Sequence, residues 1–255
     1  LSTLDDGTLT VSATVTDAAG NSADAVTDTL TLDTSADLDE LFTVSVAADD
    51  AVTNAAESTN VSLSLSGIDA DASSVSVAIT DGETTVTADA TNDGSGWVVA
   101  DQDLSTLADG TLTVTASVTD AAGNSADAVS DSLTLDTTAD AEDGTDLAVS
   151  VDTVINDAES GNVTLTLSGV DADADSVTVT LTDSNGTTAT AAATAGNNGD
   201  WTVDVSGGAL IDGNVSVAVD MTDDAGNTAS AATGFDLDTT ADAEDGTDLA
   251  VSVDT

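Results

Sequence analysis

Leu135 to Asp146 reads LDTTADAEDGTD, recurs unchanged as Leu237 to Asp248, and occurs in altered form, LDTSADLD, at Leu32 to Asp39. The three starts, Leu32, Leu135 and Leu237, lie 103 and 102 residues apart. A self-similar period of this kind decides the organisation of a chain before any local pattern does. Each copy follows a run of alternating apolar and Thr/Ser residues and precedes another, so it reads as a joint between modules. Cutting at the joints gives a fragment 1–35, complete repeats 36–138 and 139–240, and a fragment 241–255. Leu1 to Asn21 matches Leu104 to Asn124 almost residue for residue. Residues 1–35 are therefore expected to be the C-terminal part of a module, and 241–255 the first strand of a further one.

Within a repeat the apolar period is two, the signature of half-buried strands. In TLTVTASVTD, Leu112, Val114, Ala116 and Val118 point one way and Thr111, Thr113, Thr115, Ser117 and Thr119 the other. No segment carries a sustained helical period. Repeat 139–240 predicts seven strands, at about 147–151, 163–168, 176–181, 187–193, 201–205, 215–221 and 228–237. Seven short strands in about 100 residues predict an all-β chain of tandem immunoglobulin-like sandwiches in a linear array, without the disulfide, since cysteine is absent. Trp97 and Trp201 open equivalent fifth strands and are expected as the large core residue of each repeat.

The chain has 49 Asp and Glu, and no Lys, Arg or His. Two carboxylates ~4 Å apart repel by about 1 kcal/mol in water and by several times more near a protein surface. With no side-chain cation to pair with, clustered acids must be spread, protonated, screened or bound to cations. Phosphate recognition is excluded, so nucleic acid is not a partner, and contact of this segment with an anionic membrane is not expected. The composition also resembles that of disordered acidic chains, but 40% hydrophobic residues in strand patterns argue for folded modules.

Strand order predicts where the acids meet. In a seven-strand sandwich the loops after the second, fourth and sixth strands share a pole with the incoming linker. Those after the first and fifth strands sit at the other. The linkers bring Asp33, Asp37 and Asp39; then Asp136, Asp140, Glu142 and Asp143; then Asp238 and Asp242. The linker-side pole brings Asp69, Asp71 and Asp120 in one repeat, and Asp171, Asp173 and Asp223 in the next. The far pole brings Glu57 and Asp109, or Glu159 and Asp212. Such all-oxygen groups suit calcium, which takes six to eight oxygen ligands in irregular geometry, whereas zinc would want His or Cys. Calcium is thus the expected cofactor. A solvated halophilic surface also explains the total charge, and the two explanations are compatible.

NAAE (54–57) and NDAE (156–159) precede VSLSLSG and VTLTLSG, and LSTLADGTLTVTASVTDAAGN (104–124) leads to the closing LDTTAD. Together these segments resemble the bacterial immunoglobulin-like repeats of giant RTX and biofilm-type (Bap-type) adhesins over essentially the whole chain. The resemblance implies extracellular extender modules on a bacterial cell surface, with neighbouring repeats of the same chain as partners and calcium stiffening the joints. Family joints often continue into proline where this chain has Asp140 and Asp242, so stiffness here is expected to depend more on metal. An alternative is a self-associating filament, in which strands of other copies complete modules such as 1–35. Enzymatic activity is not expected: without His, Cys, Lys or Tyr only carboxylates and hydroxyls could act, and a sugar cleft would have few aromatics to line it.

Overall fold

The alternating runs form strands because one face of each, Val, Leu or Ile, can be buried while the Thr/Ser face stays wet. The computed structural model describes residues 1, 3–37, 39–46, 52–139, 146–195, 201–241 and 251. It divides into two units, Leu1–Thr53 with Glu57–Leu135, and Asn54–Ala56 with Asp136–Thr255. Among the described residues no helix is long and apolar enough to cross a membrane.

The first unit contains β1 (Gly7–Ala13), β2 (Val26–Leu32), β3 (Thr43–Val46), β4 (Val52–Thr53), β5 (Leu63–Ser66), β6 (Ala72–Thr80), β7 (Thr85–Asp89), β8 (Thr91–Asn92), β9 (Trp97–Val98), β10 (Gly110–Asp120) and β11 (Val129–Leu135). Its main sheet has the order β4-β11-β10-β6-β7, and β3-β5 and β8-β9 form shorter pairs. The hairpin β1–β2 has the register of β10–β11, Gly7↔Leu32 against Gly110↔Leu135. Burial differs: Val114 and Val118 are buried, whereas their counterparts Val11 and Val15 are exposed.

The second unit contains β12 (Ala148–Ser150), β13 (Val154–Asn156), the one-turn helix α1 (Asp157–Ser160), β14 (Val163–Ser168), β15 (Ala174–Thr182), β16 (Thr188–Ala192), β17 (Thr194–Ala195), β18 (Trp201–Val205), β19 (Gly213–Asp223) and β20 (Thr228–Asp238). Two sheets, β12-β14-β18-β17 and β13-β20-β19-β15-β16, face each other as a sandwich. All pairings are antiparallel except β13 with β20, matched in the first unit by β4 with β11. Leu165, Leu167, Val179, Leu181, Val215, Val217, Val219 and Phe235 fill the space between the sheets. Each side chain of this size contributes roughly 1.5–3 kcal/mol by leaving water.

Three local features differ from the sequence expectation. The first predicted strand, at about 147–151, is present as β12, but a further strand of three residues, β13, follows it and joins the other sheet, too short to show an alternation. The segment NDAE is a capped helical turn: the Asn156 side chain accepts from the Ala158 amide, and Glu159 Oε2 accepts from the Asn156 amide. Trp97 and Trp201 are half-buried and pack against the rim of each core, while Phe42 and Phe235 are buried. An indole at a strand start, where the sandwich opens, keeps one edge in water.

Candidate metal centre

Asp136 is the first residue after β11, Asp173 lies in the loop from β14 to β15, and Asp223 ends β19. Each offers a carboxylate oxygen, and the three oxygens lie within 4.8 Å of one another. The turn from β19 to β20 holds this arrangement. Asp223 accepts from both the Asn227 amide and its side chain, each at 2.8 Å. The Asn227 Nδ2 also donates to the Asp136 carbonyl at 2.9 Å and to Asp136 Oδ1 at 3.3 Å. One asparagine thus ties the linker aspartate to the pole of the repeat. Its Oδ1 accepts from the Ala55 amide at 2.8 Å, and Asn54 Nδ2 donates to the Ala225 carbonyl at 3.1 Å.

The electrostatics of the cluster are unfavourable as it stands. Asp173 Oδ1 is buried and has no hydrogen-bond partner. Burial, then the charges of Asp223 and Asp173, push the Asp136 carboxyl up to about 6. Burial and the neighbouring charge of Asp171 push Asp173 up as well. No cationic side chain is available anywhere in the chain to compensate.

The first unit repeats the arrangement with Asp33, Asp71 and Asp120. Asn124 takes the place of Asn227: its Nδ2 donates to the Asp33 carbonyl and Oδ1, both at 3.2 Å, and to Asp120 Oδ2 at 2.7 Å. Burial and then Asp120 push the Asp33 carboxyl up. Burial also acts on Asp120, but hydrogen bonds from Asn124 and Gly123 outweigh it and hold that carboxyl below the usual range. A further group, Asp37, Asp39 and Asp69, lies in the same unit. Asp37 and Asp39 also accept from the Leu41 amide at 3.2 Å.

Several sequence candidates lie elsewhere. Asp212 accepts from the Thr239 amide and hydroxyl, at 3.1 and 2.7 Å, and from the Thr240 hydroxyl. Asp6 does the same for Thr34, and Asp109 holds the matching sequence position. Such acids fix the exit of the last strand. Glu159 caps its helical turn, and Glu57 occupies the equivalent turn of the first repeat. Asp171 is a charged neighbour of Asp173, and Asp238 is the exposed last residue of β20. Neither joins a three-carboxylate group among the described residues. Asp140, Glu142, Asp143 and Asp242 lie outside the described residues.

Sequence reasoning missed Asn124 and Asn227, although the signal was present. Asn follows Asp by four residues in all three copies of the turn, Asp17–Asn21, Asp120–Asn124 and Asp223–Asn227. It also missed Asp183, a buried acid with a purely structural task. Asp183 Oδ1 accepts from the Asn185 and Thr187 amides, and Oδ2 from the Ile211 amide at 3.2 Å. Asp81 does the same for Glu83, Thr84 and Ala108. Asp183→Ala strands these donors, so the second repeat is expected to melt roughly 5–15 °C lower, by the same amount in calcium and in EGTA. Thermal melts in both conditions check this, and a calcium-dependent difference would move Asp183 into the metal group.

The model of the bacterial Ig-like domain matches residues 37–137 and again 138–239. The chain belongs to the bacterial Ig-like domain family. No curated protein matches the sequence. Among solved structures, the tetra-tandem repeat in the extending region of a large adhesion protein is 35% identical, over 92% of this chain and 58% of that one, with a TM-score of 0.36. This chain thus spans less than two thirds of that protein's resolved length. A structure concerned with host cell surface retention of a 1.5-MDa bacterial ice-binding adhesin is 30% identical, over 94% of this chain and 77% of that one, with a TM-score of 0.44. In the bacterial Ig-like repeats of this chain, the carboxylate groups formed by Asp33 and Asp136 each join a linker residue to the loops at one pole.

Proposed function

We propose that the chain is a run of extender repeats of a long bacterial surface adhesin, held outside the cell, with calcium stiffening each joint. The observation that carries the reading is the cluster of Asp136, Asp173 and Asp223, with an unpartnered buried oxygen on Asp173 and no cation in the chain to balance it. Its recurrence as Asp33, Asp71 and Asp120 ties it to the repeat. The donor set fits a hard divalent cation: it is all oxygen, carboxylate-rich and irregular. Calcium bound there supplies positive charge and draws the oxygens together. Asn124 and Asn227 hold the linker carbonyl and carboxylate beside the pole, so binding fixes the linker. The family match and the identity to adhesin repeats support the structural role.

Small-angle scattering of the chain in millimolar calcium, then in excess EGTA, tests the stiffening. The maximum dimension is expected to shorten on calcium removal and to recover on its return. A profile unchanged by EGTA would leave the joints independent of metal.

A further inference from the structure

Strand β16 is an edge of its sheet, paired only with β15. Two hydrogen bonds bracket that ladder, from the Asp183 amide to the Thr187 carbonyl and from the Ala193 amide to the Val177 carbonyl. Bonded pairs alternate along an antiparallel ladder. Ala189 and Ala191 therefore bond to Leu181 and Val179, while the N–H and C=O of Thr188, Thr190 and Ala192 point away from β15. Among the described residues nothing accepts from or donates to these six groups. The side chains of Thr188, Thr190 and Ala192 are exposed, and Ala189 and Ala191 pack on the core.

An open edge of this kind is normally blunted by Lys, Pro or inward charge. The chain contains no Lys and no Pro. Acids are the remaining guard, and the repeats differ in using them. In the first repeat the equivalent edge β7 ends in Asp89, with Glu83 before it and Asp93 after it. In the second, no acid occurs between Asp183 and Asp200, in a chain that carries 49. On the outer face, the row Ala192–Thr178–Asp220 keeps its carboxylate two strands in from the edge. Like-charged copies of this chain repel over most of their surface, and this edge is a stretch where they do not.

We propose that β16 is a self-pairing edge, at which a second copy of the chain adds its own β16 antiparallel across a twofold axis through Thr190. Thr190 then faces Thr190, and Thr188 faces Ala192 on each side. The three outward donors and three outward acceptors of each strand find partners in this one register. Side-chain parity is kept as well: Ala189 meets Ala191 on the core side, and the Thr side chains meet outside. A strand of another protein can satisfy the backbone groups, but it would have no reason to prefer this edge over the acidic poles if basic, and would be repelled by the chain if acidic. The pairing does not depend on the metal sites, so its failure leaves the calcium reading intact.

The chain has no cysteine, so a disulfide between single-cysteine copies reports the contact directly. At a hydrogen-bonded antiparallel pair the Cα atoms sit ~5.5 Å apart, inside the range a disulfide spans. Thr190→Cys, in the full chain with millimolar calcium and a glutathione redox buffer, is expected to cross-link at least ~10-fold faster than two controls. These are Thr188→Cys, which faces Ala192, and Thr87→Cys, the matching position of the charged edge β7. Adding Ala192→Asp, which copies Asp89, should bring the rate of Thr190→Cys down to that of the controls. Equal rates for all three cysteines mean random collision and overturn the proposal. So does a Thr190→Cys rate that Ala192→Asp leaves unchanged, because another surface would then be making the dimer.

Discussion

Millimolar calcium is expected to raise the melting temperature of the calcium-free chain by roughly 10–20 °C, several times the effect of sodium chloride at equal ionic strength. One site filled at a hundred times its Kd stabilises by roughly 2.7 kcal/mol. For a repeat of about 100 residues each kcal/mol moves the midpoint by roughly 4–8 °C. Sodium screens the repulsion among Asp136, Asp173 and Asp223 without coordinating, so the comparison separates metal binding from a merely salt-loving surface. Asp136→Asn with Asp173→Asn should act in two directions. It removes like charge, so the calcium-free midpoint of the second repeat rises, and it removes ligands, so the calcium response of that repeat disappears. The first repeat, with Asp33, Asp71 and Asp120 intact, keeps its response. If molar sodium chloride reproduces the whole calcium effect, the acids are surface charge and the clusters hold no specific ion.

The second large effect is an inversion of pH dependence. The Asp136 carboxyl titrates at about 6 in the folded chain, above its unfolded value near 3.9. A raised carboxyl favours folding when protonated, so that stability is fully present below pH ~4 and is lost as pH rises through 6. Without calcium the second repeat should therefore be more stable at pH 4.5 than at pH 7.5, by on the order of 1–2 kcal/mol once solvent screening is allowed for. Asp173, raised for the same reason, acts in the same direction. With calcium the order reverses, because the metal needs the ionised carboxylates and proton competition weakens it at low pH. Below pH ~4 a different group takes over. Asp183, held low by the amides of Thr187, Ile211 and Asn185 against the effect of burial, loses its stabilising charge there. Urea midpoints across pH 3–8 with and without calcium read all three limbs. A calcium-free profile that stays flat between pH 4.5 and 7.5 would remove the strained cluster from the account.

The sandwich was legible because its strands carry their own label: alternation of apolar and hydroxyl residues is visible wherever a strand is long enough, as in Val163, Leu165 and Leu167 of β14. The pole at which Asp136, Asp173 and Asp223 meet followed from strand order, since alternate loops of a sandwich share an end. What escaped was set by short range or by hydrogen bonding. β13 has three residues, too few to show a period. The capped turn at Asn156 and Glu159 is written in four residues that resemble a loop. Acids were read as one population, whereas the structure sorts them by partner. Asp212 serves threonines and Asp183 serves amides, while Asp136 and Asp173 are left facing each other's charge. Composition and spacing cannot make that distinction, because all these residues are aspartates in loops or at strand ends.

The parallel pairing of β13 with β20 has a consequence under tension. β13 lies close to the entry of the second repeat and β20 carries its exit, so a pull along the chain drags the two strands past each other lengthwise. Val154↔Asp236, Ile155↔Leu237 and Asn156↔Asp238 are then sheared together, and their hydrogen bonds must give way at once. Terminal strands paired as an antiparallel hairpin would unzip, one rung at a time and at low force. β4 and β11 place the same rip-stop in the first repeat, through Thr134↔Val52 and Leu135↔Thr53. A module can thus bear a load out of proportion to its melting temperature, because the rupture force depends on how the outermost strands are loaded rather than on how much apolar surface lies beneath them.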